Sequence, residues 1–376
     1  MRYLVLLFSA LILNVHAQSD FGSSFNPTYG IVQSNIPQDY YLDANDKSSE
    51  ELKEALHQII SNHVVYPYTS SSIDTWDILQ LSDQDPENHN NMILVYTGRS
   101  QDKGYRDGSG NYSQYENGNG TQNNSWNREH IWPKSHGFPD EDDNAYTDVH
   151  NLKPCDRSVN SSRGTKDFDY GGNQHSEASQ CLTDSDSWEP SDSVKGDIAR
   201  ILFYMTVRYD PGYDHNNNSF DLELVDYTTP GNNDPILGKL SSLIQWHNDD
   251  PVDDFEINRN EIIFGFQENR NPFVDHPNLV NFLWGENYGE NWNENLGLIS
   301  PDDENFVVYP NPSNGILNFS NPLQDERVEI FSSDGVKVFD IRISNANSLK
   351  LNLEAGIYFL KISNNRKITN SKIIFR

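Results

Sequence analysis

The residues best equipped for chemistry in this sequence stand close together at 126–137, in the stretch WNREHIWPKSHG. Glu129 and His130 are neighbours there, on a predicted strand that leads into a Pro-Lys turn. A neutral imidazole, whose ordinary pKa is about 6.5, takes a proton from water at neutral pH, and a carboxylate is a hard ligand for a divalent ion. Because adjacent side chains of a strand point to opposite faces, a second segment must complete the site.

That second segment is DVHNLKPCDRSVNSSRGTKDF, at 148–168. It carries His150, Asn151, Asn160 and Arg163; an amide oxygen is a second hard ligand, and an arginine can clamp phosphate oxygens through paired hydrogen bonds. A base, a metal held by one carboxylate and one amide, and a guanidinium clamp are the parts of single-metal phosphodiester hydrolysis. The two segments together predict that chemistry.

The distribution of charge limits the substrate. A formal net charge of −29 argues against a general polyanion binder, because phosphate binding draws mainly on clustered lysines and arginines. Residues 152–166 nevertheless contain four cations and only one carboxylate, that of Asp156. The cations are Lys153, Arg157, Arg163 and Lys166. This basic island predicts a small anionic site, with Lys153 and Lys166 as contacts to nucleic-acid phosphates.

Helices and short strands must position these residues, which indicates an α+β fold. MILVYT at 92–97 predicts a buried strand, and Ser48 and Glu51 fit a capping box at the start of a helix. Apolar residues at helical spacing predict helices at 48–60, 194–208 and 236–247.

The ends of the chain differ from its middle. Residues 1–17 carry Arg2 and a short apolar run, the layout of a cleavable signal peptide. We expect a catalytic domain at 18–300 and a small antiparallel β-sandwich-like module at 301–376, where alternating strands are separated by Asn-Gly and Asp-Gly turns. No later apolar stretch reaches transmembrane length, so the sequence predicts an exported protein without a membrane span.

The only two cysteines, Cys155 and Cys181, are an even count in a chain expected to be exported. This favours one disulfide that closes a loop over Asn160 and Arg163. A zinc site is the alternative, but neither cysteine has the CxxC spacing that such sites favour.

These stretches resemble the bacterial endonuclease I group of His-Me finger, or ββα-metal, nucleases. The similarity extends through GDIARILFYMTVRY (196–209) and the stretch at 243–277, and covers most of residues 39–290. The resemblance implies that His130 is the general base and that Glu129 and Asn160 hold one divalent ion, with Mg²⁺ expected and Ca²⁺ or Mn²⁺ as alternatives. It also implies a hairpin and helix that bring Asn160 beneath Glu129, and products with 5′-phosphate ends.

The resemblance leaves the phosphate clamp open between two arginines. Arg163 matches the arginine of the family's VN-x-x-R stretch, and Arg157 is a local candidate. Some relatives place an arginine between the two strands, but SHGFPDEDDNAYT, at 135–147, contains neither Arg nor Lys. His150, Asn151 and Arg128 are expected to support the site without direct contact.

Structural roles are the alternatives for each site residue. His130 could be a hydrogen-bonded structural histidine, Glu129 a salt-bridge partner and Asn160 a helix cap. Trp126 and Trp132 could pack the hairpin or stack on bases.

The C-terminal module resembles the type IX secretion sorting domain, through YPNPSNG, VEIFSSDGVKV, GIYFLKI and the ending KIIFR. The resemblance implies an address read by the type IX secretion machinery. Its lone acidic candidates, Asp334 and Asp340, are expected at a turn and on the surface.

The sequence therefore predicts a secreted or cell-surface, monomeric, metal-dependent endonuclease with little sequence preference, acting on DNA, with RNA as a second substrate. An exported metal phosphoesterase for small substrates is the alternative enzyme. A catalytically inactive surface binding protein is the alternative outside enzymes.

Overall fold

The computed structural model describes residues 34–110, 125–210, 221–229, 231, 233–294, 308–323, 326–332, 336–363 and 368–376. The chain forms two compact units, Met1–Glu294 and Asn295–Arg376. The expected signal peptide at 1–17 and the side chain of Asp334 lie outside the described residues. Within those residues, no helix has the length and hydrophobicity needed to cross a bilayer.

The first unit combines helices with small sheets, which confirms the α+β class. Its helices are α1 (Ser49–Ser61), α2 (Thr75–Ser82), α3 (Asn144–Thr147), α4 (Arg157–Arg163), α5 (Lys195–Arg208), α6 (Leu240–Asp249), α7 (Asp254–Gln267), α8 (Pro272–Asp275) and α9 (Leu279–Trp284). Its strands are β1 (Asn91–Ile93), β2 (Ser100–Asp102), β3 (Trp126–His130), β4 (Leu152–Asp156), β5 (Asp167–Phe168), β6 (Asn173–Gln174), β7 (Leu182–Thr183), β8 (Ser187–Glu189), β9 (Glu223–Leu224) and β10 (Ile236–Leu237).

Helix α5 lies at the centre of this unit. All of its residues are buried, the charged ones included, and it packs against α1 and α6. The main core surrounds it and includes Trp188, Trp246 and Trp292. A second apolar cluster, which includes Trp76 and Trp126, packs under the hairpin of β3 and β4. Both tryptophans predicted to pack the hairpin, Trp126 and Trp132, are fully buried.

Two predicted elements are shorter than expected. Of the strand predicted at 92–97, only β1 forms, because the chain turns at Leu94, where the carbonyl accepts a hydrogen bond from Gly98 N at 2.9 Å. The helix predicted at 236–247 begins only at Leu240, since Ile236 and Leu237 pair with β9.

Helix capping also differs from the prediction. Ser48 is the N-cap residue of α1 but makes no side-chain cap hydrogen bond, so the predicted capping box does not form. A capping box does form at α2, where Asp74 accepts from the backbone of Trp76 and Asp77, and the Asp77 side chain accepts from Asp74 N.

The two motif segments meet as a hairpin followed by a helix. Strands β3 and β4 are antiparallel, with Glu129 opposite Lys153 and His130 opposite Leu152. Helix α4 follows β4 directly and packs on both strands. It ends at Gly164, whose positive φ of 62° lets the chain reverse where a side chain would cause strain.

The second unit contains two antiparallel sheets around a core of its own. Their strands are β11 (Val308–Tyr309), β12 (Ile316–Leu323), β13 (Glu326–Ser332), β14 (Lys337–Ile343), β15 (Ala346–Lys350), β16 (Gly356–Ser363) and β17 (Ile368–Phe375). One sheet has the order β11-β12-β15 and the other β14-β13-β16-β17. Asp340 lies in β14 and pairs with Arg327 at 2.7 Å.

Candidate active site

His130 is the last residue of β3, and its ring is fixed by the segment between the two strands. Its Nε2 lies 2.8 Å from the carbonyl oxygen of Tyr146. A carbonyl only accepts hydrogen bonds, so Nε2 carries the proton and Nδ1 keeps its lone pair. The ring stacks on Tyr68, with centroids 5.8 Å apart, and meets the edge of Tyr146 at 4.9 Å.

Burial keeps this imidazole neutral. The pKa of His130 is lowered to about 3, first by desolvation and then by the nearby charges of Lys134, Arg128 and Arg163, while the Tyr146 hydrogen bond opposes the shift. The ring is therefore in its basic form at neutral pH. Approach of a phosphate anion would raise this pKa, because an opposite charge favours the imidazolium.

Glu129 makes its contacts with other elements. Its Oε1 accepts a hydrogen bond from the hydroxyl of Tyr96 at 2.8 Å and lies 3.4 Å from Nη1 of Arg163. Burial raises the pKa of this carboxyl to about 7, although Arg163 and Tyr96 oppose the shift. One neutral donor and one guanidinium thus compensate its negative charge only in part.

Asn160 lies within α4, on the side that faces β3. Its amide nitrogen donates to Asn127 Oδ1 at 2.9 Å and to the carbonyl of Arg128 at 3.3 Å. Because the amide nitrogen of Asn160 points to these two oxygens, its amide oxygen points away from them. Asn160 is not a helix cap, since Asp156 and Gly164 occupy the cap positions of α4.

The donors around Glu129 suit a small, hard cation. The structure places a carboxylate on β3 and an amide oxygen on the helix packed against that strand. Mg²⁺ takes one or two such protein ligands and keeps several waters. Throughout the described residues, no group of three or more His, Cys, Asp and Glu side chains forms a richer metal cage. Because Tyr96 and Arg163 compensate the negative charge of Glu129 only in part, a cation bound beside Glu129 would be favourable.

Arg163 is an internal brace. Its guanidinium is fully buried and donates to the carbonyls of His130 at 3.2 Å, Ile131 at 2.8 Å and Gly164 at 3.3 Å. Nη1 and Nη2 thus bind the backbone, while Nε has no hydrogen-bond partner among the described residues, and the phosphate clamp expected of Arg163 stays a prediction. Arg157 is half-buried, with Nε 3.2 Å from Asp107 Oδ2.

The predicted basic island is not a continuous surface. Lys153 is buried, because its ammonium pairs with Asp83 at 2.8 Å inside the unit. Lys166 is half-buried and donates to Thr183 Oγ1 at 2.7 Å. Four cations that are close in sequence therefore lie in different environments.

The three residues expected to support the site are all buried. Asn151 accepts from Trp132 N at 2.7 Å and donates to Trp132 O at 3.1 Å, which fixes the backbone just beyond His130. The ring of His150 lies 3.3 Å from the carbonyl of Asn269. The guanidinium of Arg128 lies over the rings of Tyr68 and Trp76 and ties β3 to the chain that precedes it.

Sequence reasoning missed Tyr68, Tyr96 and Tyr146, which contact the candidate site residues Glu129 and His130 from other segments. It also missed Lys134, whose ammonium lies 2.5 Å from the hydroxyl of Tyr146. Lys134 was within the first motif, four positions after His130, and that nearness was the available signal. The sequence gives no such signal for the three tyrosines, because only the fold brings them close to Glu129 and His130.

The expected disulfide is absent. Cys155 and Cys181 are both buried free thiols. The Cys181 thiol donates to the carbonyl of Tyr96, with Sγ 3.3 Å from the oxygen, and both side chains belong to the apolar core. Burial raises the pKa of both thiols, so each behaves as a small apolar side chain.

Comparison with known proteins gives two family matches. Residues 48–278 match the endonuclease I family, and residues 307–376 match the secretion system C-terminal sorting domain. An extracellular ribonuclease of Bacillus subtilis (strain 168) is 46% identical over 248 residues, which is 65% of this chain and 78% of that protein. An extracellular ribonuclease of Bacillus amyloliquefaciens is 45% identical over 255 residues, 68% of this chain and 81% of that one. An extracellular deoxyribonuclease of Aeromonas hydrophila is 30% identical over 149 residues, 38% and 55% of the two chains.

Proposed function

Because the chain belongs to the endonuclease I family and ends in a type IX sorting domain, as its sequence predicted, we propose that it is a secreted, divalent-metal-dependent endonuclease with little sequence preference. DNA is the proposed substrate, and RNA is the second. Both are supported by the relatives, since two are named ribonucleases and one a deoxyribonuclease.

The observation that carries the proposal is the state of His130. Its Nε2 is committed to the Tyr146 carbonyl, so the proton acceptor is Nδ1. In the proposed reaction, Nδ1 takes a proton from the attacking water, and the Tyr146 carbonyl stabilises the imidazolium that forms. The stacked ring of Tyr68 holds the imidazole plane in place.

Glu129 and Asn160 would hold the divalent ion. When bound, that ion supplies charge stabilisation for the phosphate and the departing oxygen. Tyr96 holds one oxygen of Glu129, and Asn127 holds the amide nitrogen of Asn160, so both ligands are oriented beforehand.

Little sequence preference follows from what the site contacts. The proposed groups act on the phosphodiester, and the sugar–phosphate backbone carries no base sequence. Products with 5′-phosphate ends are part of the same proposal.

Cleavage of supercoiled plasmid and of single-stranded RNA, with and without EDTA, tests the function. His130→Ala should lower the rate by on the order of 10²- to 10⁴-fold, because a positioned base contributes that much. His89→Ala is the matched control, since His89 is exposed and outside the hairpin.

Each alternative predicts a different result. An exported metal phosphoesterase would hydrolyse bis(4-nitrophenyl) phosphate and leave both polymers intact. A binding protein would retard plasmid in a gel without nicking it. Glu129→Gln and Asn160→Ala should weaken Mn²⁺ binding measured by titration calorimetry, and unchanged affinity in both variants would remove them as ligands.

A further inference from the structure

Lys134 occupies an unusual position among the basic residues of the first unit. Of the lysines and arginines that the structure describes between residues 34 and 294, it is the only one that is exposed; the others are half-buried or buried. No carboxylate of the described residues lies within 4.0 Å of its ammonium group. A cation held at the surface without a carboxylate partner is suited to an anionic ligand.

The position of this ammonium is fixed relative to the catalytic histidine. Nζ of Lys134 lies 2.5 Å from the hydroxyl of Tyr146 and 4.5 Å from the centroid of its ring. The same Tyr146 binds His130 through its carbonyl and packs its ring edge 4.9 Å from the imidazole. A single residue thus joins the exposed cation to the proposed base.

We propose that Lys134, positioned by the Tyr146 hydroxyl, contacts the scissile phosphate and stabilises its negative charge in the transition state. This inference rests on the proposed function. Its chemistry is direct: an ammonium donates charge-assisted hydrogen bonds to phosphate oxygens, and such bonds are short and strong. The buried guanidinium of Arg163 is engaged with the backbone and leaves this role to Lys134.

The neighbouring tyrosines make the position specific. Tyr68 packs against the ring of Tyr146 at 4.7 Å and stacks on His130, so the three rings form one wall beside the hairpin. The lysine side chain would lose less conformational freedom on binding phosphate, because its ammonium already has a fixed partner. Preorganised donors of this kind act mainly on kcat.

Steady-state kinetics on plasmid DNA and on bis(4-nitrophenyl) phosphate test the proposal. Lys134→Gln should lower kcat by roughly 10- to 100-fold on both substrates. This loss is at or below the range of about 10²- to 10³-fold that is typical when one preorganised donor is removed from an active site. Lys134→Arg should recover most of the loss, because it restores the charge. Lys53→Gln is the matched control, since it removes one positive charge from α1, where Lys53 pairs with Asp210.

A double-mutant cycle tests the positioning by Tyr146. Tyr146→Phe should lower kcat in the presence of Lys134 and have no further effect in Lys134→Gln, because the hydroxyl acts through the ammonium. The carbonyl and the ring that contact His130 remain in this variant.

The outcomes separate the inference from the function. If the wild-type protein cleaves neither substrate, the proposed function fails. If it cleaves both and Lys134→Gln keeps its kcat, the inference alone fails. A rise in KM confined to plasmid would overturn it too, because general attraction of a polyanion would not extend to a small diester.

Discussion

Replacing Arg163 with alanine should destabilise the fold by about 3–5 kcal/mol, the cost typical of removing one partner of a buried ion pair. The structure gives the reason. The buried guanidinium binds three carbonyls and lies 3.4 Å from Glu129 Oε1, and all of these acceptors would be left in the interior. Each buried acceptor left unpaired costs about 1–3 kcal/mol, and these costs overlap with the loss of the ion pair.

Urea unfolding followed by tryptophan fluorescence measures this change. A loss of that size is a large share of a total stability of about 5–15 kcal/mol, so the midpoint should fall clearly. Arg157→Ala is the matched control on the same helix, because its partly exposed pair with Asp107 should contribute no more than about 1 kcal/mol. Arg163→Lys should fall between them, since lysine keeps the charge and loses the planar fork.

One result would contradict this role of Arg163. If Arg163→Ala unfolds at the wild-type midpoint and loses kcat instead, the guanidinium must leave the interior and act on phosphate. The assignment of Arg163 as a brace would then be wrong.

Three further predictions concern the whole protein. Burial lowers the pKa of His150 to about 3 and that of His247 to about 4, so as pH falls below about 6.5 these histidines gain protons in the unfolded chain before they do in the folded protein. The free energy of unfolding should therefore drop by up to about 2 kcal/mol per histidine between pH 8 and pH 5. An unchanged free energy of unfolding in urea over this range would contradict the prediction. Cys155 and Cys181 should both be alkylated in the denatured, unreduced protein and neither in the native protein, whereas a mass showing no label after denaturation would restore the disulfide. Deleting residues 302–376 should leave plasmid cleavage intact and abolish export, because the site residues all lie in the first compact unit; a well-folded truncation with reduced specific activity would refute this.

The hairpin and its helix could be predicted because their residues are close in sequence. The segments at 126–137 and 148–168 contain both strands and α4, and the resemblance to the endonuclease I group implied their arrangement as a hairpin followed by a helix. Helix α5 was predictable for another reason, since Ile198, Ile201, Leu202 and Met205 recur at helical spacing. Strands such as β5 and β9 contain two residues each, which is too short for any periodicity to register.

The partners of Glu129 and His130 could not be predicted, because they depend on contacts between residues that are distant in sequence. Tyr96 reaches Glu129 from 33 positions away, and Tyr68 lies further still from His130. The run MILVYT looked like a strand because it is continuously apolar, yet its second half is a buried turn that places Tyr96. A turn that is buried on all sides has the same continuously apolar sequence as a buried strand, so the sequence pattern alone could not distinguish the turn from the strand.

The same limit explains why a count of positive charge does not locate the phosphate contacts. Arg163 binds the carbonyls of His130 and Ile131, and Arg259 binds those of Val149 and Leu152, so two buried guanidinium groups hold both strands of the hairpin by their backbones. A cation in this role rigidifies the site and is shielded from the salt that screens surface charge. Sequence gives the number of such cations and not the direction of their side chains. An acidic nuclease can therefore carry a basic cluster in its sequence without a continuous basic surface, which is why we propose Lys134, the exposed cation beside the proposed base, as the phosphate contact.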